Sequence, residues 1–166
     1  MVDLRVTYME LLRRPVDAVP APDTEIFAIG HERPAVGDYL ALYAAVGGPV
    51  QWDQRSRMPL PELQRLIAND STVLFVLRLE AQPVGMCELL NADGSDIELA
   101  NFGLVPAAQG RGLGAHFLNA ALRTAWSAST RRVWLRTDTN DHPRAIPAYE
   151  RAGFRIYARG VETFPD

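Results

Sequence analysis

Residues 101–114, Asn-Phe-Gly-Leu-Val-Pro-Ala-Ala-Gln-Gly-Arg-Gly-Leu-Gly, run from an apolar strand pattern into a glycine-rich turn that opens a helix. Gly110, Gly112 and Gly114 fall within five residues and would let a ligand approach the backbone at that turn. The unpaired N–H groups of a helix start, at the positive end of its dipole, suit a phosphate or pyrophosphate. Arg111 stands between two of the glycines and would screen the ligand's charge. A tight strand–helix turn without a ligand is the plainer account of the same glycines.

Two phosphate-binding classes compete for this segment. Gly110, Gly112 and Ala115 satisfy the dinucleotide pattern G-x-G-x-x-G/A, and Asp138 closes a later strand. That class needs its glycines flush with the first strand and several βα units behind them. Here Pro106-Ala-Ala-Gln109 intervenes, only 28 residues follow Asp138, and the hundred residues upstream read as antiparallel. The dinucleotide reading fails on space.

A different pattern fits. Gln109-x-x-Gly112-x-Gly114, with Pro106 three residues before the glutamine, resembles the pyrophosphate arm of the GCN5-related N-acetyltransferase (GNAT) family, which binds acetyl-coenzyme A. A second stretch, Ala145-Ile-Pro-Ala-Tyr149-Glu-Arg-Ala-Gly153-Phe154, is similar to that family's other signature. Two signatures in the right order, about thirty residues apart with one strand between them, are far more specific than either alone. The resemblance covers roughly residues 71–161, and the first 70 residues follow it only in outline. His142 stands seven residues before Tyr149, where many members carry asparagine.

The resemblance implies acetyl transfer from acetyl-coenzyme A to an amine, directly in a ternary complex and with no metal. Gln109, Gly110, Arg111, Gly112, Leu113 and Gly114 would hold the pyrophosphate. The pantetheine arm would lie beside Leu104–Val105, where one backbone N–H meets the thioester oxygen, with Ala145 and Tyr149 on the cofactor's other side. Tyr149 would be the general acid, since a phenol keeps its proton at neutral pH and can give it to a departing thiolate. Taken alone it would read as a core tyrosine. The general base would be a carboxylate of the hairpin working through a water, Glu98 or Glu88 on the neighbouring strand, or else His142 at the start of the last helix. The two-residue repeat of a strand predicts that Glu98 shares a face with Phe102 and Leu104. Trp52, Phe102 and His142 are expected at the acceptor pocket. A coenzyme A-binding module without turnover is the alternative. The implied partner is a small-molecule or protein amine, with no nucleic acid and no membrane, and a homodimer is compatible with the sequence.

Composition narrows the chemistry further. All seventeen basic residues of this 166-residue chain are arginine, so Schiff-base lysine chemistry and a P-loop lysine are excluded. Cys87 is the single cysteine, so no internal disulfide forms; set among apolar strand residues with no adjacent histidine, it reads as a small buried side chain. Three scattered histidines with one thiol make no zinc cluster, and His31 and His116 read as surface residues. Residues 1–108 carry eight arginines against fifteen acids, whereas residues 109–166 carry nine against five, so the basic third coincides with the glycine loop. The opening Met-Val-Asp-Leu-Arg has no apolar core of a signal peptide, and no apolar run approaches a bilayer span, which predicts a soluble cytoplasmic protein.

The elements that must position these residues follow from periodicity and breakers. Strands are predicted at Leu4–Leu11 and Glu25–Ile29, separated by a connector containing Pro15, Pro20 and Pro22. Helices follow at Ala35–Val46 and Pro59–Ala68, with a polar loop Gln51–Met58 between them. Val73–Leu79, Val84–Leu90 and Ile97–Val105 form an antiparallel meander, with a tight turn at residues 91–96. A helix from Gly114 to about Trp126, a strand Arg132–Thr137, a helix Pro143–Arg151 and a strand Phe154–Val161 complete the chain. The expected fold is mixed α/β (α+β): a mostly antiparallel central sheet flanked by helices, ending β–loop–α–β–α–β. One N-acetyltransferase domain is expected over residues 1–166, with 1–70 as its variable N-terminal part and 71–166 as its cofactor-binding core.

Overall fold

A computed structural model describes residues 1–23 and 26–166. Among the described residues, seven strands form one sheet: β1 Val2–Leu11, β2 Phe27–His31, β3 Val73–Leu79, β4 Gln82–Leu90, β5 Asp96–Leu104, β6 Arg132–Asp138 and β7 Arg155–Phe164. Five helices flank it: α1 Val36–Gly47, α2 Gln54–Arg57, α3 Leu60–Ala68, α4 Leu113–Ala125 and α5 Ala145–Arg151. The strand order is β2-β3-β4-β5-β6-β1-β7. All neighbours are antiparallel except β5 and β6. The predicted mixed, mostly antiparallel sheet is therefore present. Its surprise is β1, which crosses to the far side and lies between β6 and β7.

The sheet is covered on both faces, so β3 reads as a continuous apolar run rather than an alternation. Leu74 and Val76 point to one core with Tyr39, Leu42, Tyr43 and Val46 of α1 and Leu63 of α3. Phe75 and Leu77 point to the other, built on Phe117, Leu118, Ala121 and Leu122 of α4. Each fully buried leucine or phenylalanine contributes roughly 1.5–3 kcal/mol. These two layers hold β4 and β5 rigidly between them.

The meander and the four C-terminal elements lie where periodicity predicts, with shifted ends. Three differences matter. The second strand is Phe27–His31, and the predicted start at Glu25 lies outside the described residues. The polar loop Gln51–Met58 contains the one-turn helix α2, whose Arg55 is buried. The last helix begins at Ala145 rather than Pro143, because the Ala145 N–H donates to the His142 carbonyl at 2.8 Å and residues 142–144 form a turn.

Two irregularities of β5 shape everything downstream. Asn101 pairs with Glu88 but Leu99 pairs with Leu89, so Ala100 is an extra residue, a β-bulge. The parallel pairing of β5 with β6 covers only Asp96–Glu98 against Arg132–Trp134. Beyond that point β5 runs on to Leu104 and β6 to Asp138 without pairing with each other. The sheet opens there into a wedge.

Candidate active site

The glycine loop begins where β5 ends. The Val105 N–H donates to the Val84 carbonyl at 2.8 Å, and Pro106–Ala108 form a 3-10 turn. Hydrogen-bonded and non-bonded pairs alternate along an antiparallel ladder. Leu104, opposite Gly85, therefore turns its N–H and C=O toward the wedge, as does Phe102 two residues earlier. The Gln109 Nε2 donates to that Leu104 carbonyl at 3.0 Å, tying the loop to the strand end. Of the two amides expected to meet a thioester, Val105 is excluded because its proton is already engaged, and Leu104 is left.

Gly110 and Gly112 have φ of +76° and +79°, the left-handed region that other residues rarely adopt. A Cβ on Gly110 would meet nothing within 4 Å, so backbone conformation rather than crowding selects this glycine. Gly112 is the N-cap of α4 and supplies no side-chain cap, so the first N–H groups of α4 have no intrahelical acceptor.

A cleft of about 630 Å³ occupies the wedge, lined among others by Trp52, Glu98, Phe102, Leu104, Asp138 and Tyr149. Tyr149 of α5 is buried, with its ring against Phe102 at 6.2 Å and Phe154 at 5.7 Å. Its hydroxyl has no hydrogen-bond partner among the described residues. Burial, and after it the charge of Asp141, push the phenol well above its ordinary pKa, so it stays protonated. Ala145 lines the same cleft one turn earlier on α5.

The bulge at Ala100 overturns the predicted face of Glu98. Ile97 and Leu99 point into the α4 core before the bulge, and Phe102 and Leu104 point there after it. The alternation is reset by one residue, so Glu98 lies on the opposite face, with Asn101 and Gly103. A Cβ on Gly103 would lie 2.7 Å from Val46 and 3.6 Å from Trp52, which identifies that face as the α1 side. Phe102, expected at an acceptor pocket with Trp52, sits instead with Phe117 and Tyr149, on the opposite face of β5 from Trp52. Glu98 is half-buried, and desolvation raises its pKa, opposed by the charges of Arg136 and Arg55. A carboxylate raised in this way is a stronger proton acceptor than an exposed one.

Glu88 cannot play the same part. It is 1% exposed and accepts from Tyr39 Oη, Arg55 Nη2 at 2.7 Å and Asn101 Nδ2 at 2.9 Å. Arg55 Nε also donates to Tyr39 Oη at 3.3 Å, so one buried quartet ties α1, α2, β4 and β5 together beneath the cleft. A lone acid in the apolar run Gly-Met-Cys-Glu-Leu-Leu was the signal for this buried partner, but nothing in the sequence pointed to Arg55. Cys87 is buried, and burial pushes its thiol pKa up, away from nucleophilic use.

Trp52 packs over Tyr43, 5.5 Å away, and donates its indole N–H to Asp141 Oδ1 at 3.3 Å. Asp141, which the sequence did not single out, is held in turn by Thr137 Oγ1 and by the Asp138 N–H at 3.1 Å. The α1–α2 loop and the β6–α5 loop are thus joined across the mouth of the wedge. His142 is exposed, and its Nδ1 accepts the Arg144 N–H at 3.1 Å, a local turn contact. His116 is not the surface residue expected: it is half-buried, and its Nδ1 must carry a proton because it reaches the Val19 carbonyl at 2.7 Å.

The cleft's charges are uneven. Arg55 is paired with Glu88, Arg57 with Asp53 at 2.7 Å and Arg136 with Glu162 at 2.5 Å. Glu98 and Asp138 face the same space with no ion pair among the described residues, and burial raises the Asp138 carboxyl as well. Among the described residues, no three His, Cys, Asp or Glu side chains could hold a metal ion.

A strand feeding a glycine-rich helix start beside a split sheet is the arrangement that the comparisons place in a family. The family model for the acetyltransferase (GNAT) family matches residues 40–154, more than half the chain. The chain belongs to that family. Solved structures show the same fold. A functionally unknown conserved protein of Staphylococcus epidermidis superimposes with a TM-score of 0.64 at 21% identity, covering 96% of this chain and 60% of that one. A GCN5-related N-acetyltransferase from Sphaerobacter thermophilus gives 0.59 at 18%, covering 94% and 49%. An aminoglycoside acetyltransferase from an uncultured soil metagenomic sample, in complex with trehalose, gives 0.62 at 16%, covering 76% and 87%. The first two are much longer proteins, of which this chain spans three-fifths or less. No curated protein matches the chain. No helix among the described residues is long and apolar enough to cross a membrane.

Proposed function

We propose that this chain is a cytoplasmic N-acetyltransferase that moves the acetyl group of acetyl-coenzyme A directly to a primary amine. The observation that carries this reading is the wedge between β5 and β6, with the inward-facing Leu104 amide at its edge and the Gly110–Gly114 loop at its end. The loop amides and Arg111 would hold the pyrophosphate of the substrate. The Leu104 N–H would donate to the thioester oxygen and stabilise the negative charge that develops there.

The acceptor reaches the site as an ammonium ion and must lose a proton before it can attack. Glu98, through a water, takes that proton; its desolvated setting favours the protonated form. The amine then attacks the thioester carbon, forming the C–N bond as the C–S bond breaks. Tyr149 gives its phenolic proton to the departing thiolate; the nitrogen, cationic once the C–N bond has formed, then loses its second proton, which restores the phenol through water, while the first proton passes from Glu98 to solvent. Glu98 and Asp138, both outside any ion pair among the described residues, make the acceptor end suit a cationic amine.

The test is thiol release from acetyl-coenzyme A across a panel of small amines, polyamines, aminoglycosides and lysine peptides. Amine-dependent thiol release together with a product heavier by one acetyl group supports the proposal. Tight coenzyme A binding with no turnover on any amine would leave a binding module instead.

A further inference from the structure

The stretch that follows β1, residues 12–23, is more than a connection. It runs along α4 from that helix's C-terminal end to its N-terminal end. Arg14 Nε donates to the Arg123 carbonyl at 3.2 Å. Asn119 then grips the segment with both ends of its amide: Nδ2 donates to the Asp17 carbonyl at 3.0 Å, and Oδ1 accepts the Val19 N–H at 3.1 Å. His116 Nδ1 donates to the Val19 carbonyl at 2.7 Å, and the same ring meets Phe27 edge-on at 5.3 Å. The described part of the path ends beside the glycine loop, where Pro22 Cγ lies 3.6 Å from the position a Gly112 Cβ would take.

Asn119 is the telling residue. It is 9% exposed in the interior of α4, where an asparagine is a poor helix former and a buried amide is costly unless fully bonded. Both its bonds go to the backbone of this segment and none to the helix core. Pro15, Pro20 and Pro22 fix φ at three points of the segment and remove N–H groups that would otherwise seek a strand partner. The result is a stiff strap clasped to the helix that the glycine loop opens.

We propose that the strap Asp17–Pro22 forms the outer wall of the phosphate cradle, and that Asn119 is the positioning residue that sets this wall. The inference rests on the acetyl-coenzyme A reading above. An anion on the first N–H groups of α4 has the helix on one side and the Pro22 ring beside it. The ring excludes water there, which strengthens the hydrogen bonds the loop amides make.

Two variants test it. Asn119→Leu removes both clasping bonds while keeping a good helix former in a buried position. Pro22→Gly removes the wall and leaves α4 untouched. Calorimetry with coenzyme A and with pantetheine, which lacks the pyrophosphate, gives the readout. Coenzyme A should bind roughly fivefold or more weakly to both variants, the scale of one or two lost hydrogen bonds. Pantetheine affinity should be unchanged, and in turnover the KM for acetyl-coenzyme A should rise with kcat retained. A merely structural strap would lower the melting temperature and leave the coenzyme A affinity alone; a folded Pro22→Gly protein with affinity within twofold of the parent overturns the proposal. A parent protein that binds no coenzyme A at all sinks the acetyl-transfer reading, and the strap's role with it.

Discussion

Tyr149→Phe deletes one oxygen from a ring held between Phe102 and Phe154. That oxygen has no hydrogen-bond partner among the described residues, so its removal leaves no donor or acceptor orphaned. Stability should therefore move by no more than about 0.5 kcal/mol in either direction. Catalysis should respond quite differently. Loss of a general acid slows a reaction by roughly 10²–10⁴, which is about 2.7–5.4 kcal/mol of barrier. The KM for acetyl-coenzyme A should barely change, because the ring still packs against Phe102 at the edge of the wedge. Initial rates with a thiol reporter measure the first effect, and a denaturant melt measures the second. The phenol's pKa is raised, so Tyr149 remains protonated across the working range and should add no falling limb to the parent's pH–rate profile. Full turnover in the phenylalanine variant, with a working acceptor in hand, would remove Tyr149 from the mechanism. A large loss of stability with kcat intact would make it a core residue.

Further outcomes are expected. Glu98→Gln should lower kcat and abolish a rising pH limb that, in the parent, lies above the ordinary carboxylate pKa of 4.5. The same shift has a sign for stability: a folded-state pKa above the unfolded value stabilises at acid pH, and that contribution is lost as pH rises through the folded pKa, so the glutamine variant should melt no lower than the parent at pH 7. Glu88→Gln should destabilise by roughly 3–5 kcal/mol, because Arg55 is left as an uncompensated buried charge, while a Glu88→Leu, Arg55→Met double variant should recover much of that loss in a double-mutant cycle. Gly112→Val forces a branched side chain to φ +79°, with a backbone strain of roughly 1–3 kcal/mol, and should abolish coenzyme A binding in calorimetry; unchanged affinity would separate the loop from the phosphates. Trp52→Phe removes the indole donor to Asp141 and should raise the KM of the amine while leaving that of acetyl-coenzyme A alone.

The extent to which the site was legible in the sequence follows the range of the forces involved. Left-handed turns at Gly110 and Gly112 and the start of α4 are set by a few consecutive residues, so the glycine-rich turn into that helix could be read directly. Tyr149 came with it, through a second short signature. Arg55 could not be read, since an arginine in a polar loop reports nothing about a glutamate 33 residues later on β4. His116 and Asn119 were equally opaque, because their partners lie about a hundred residues earlier in the strap.

The chain's own pattern determined which segments become strands, where prolines and glycines end them, and that β3 is covered on both faces. Those outcomes depend on local sterics and on the period of apolar residues. Tertiary structure alone decided the rest. The pairing of β5 with β4 inserts Ala100 as a bulge, and that one extra residue turns Glu98 to the opposite face from Phe102 and Leu104. The ladder also engages the Val105 N–H and leaves the Leu104 N–H facing the wedge. β1 enters between β6 and β7, a place no local signal specifies, since strand order depends on which edges are available when the sheet closes. A two-residue repeat predicts a face only while the register holds, and here partner strands, not the sequence of β5, set the register.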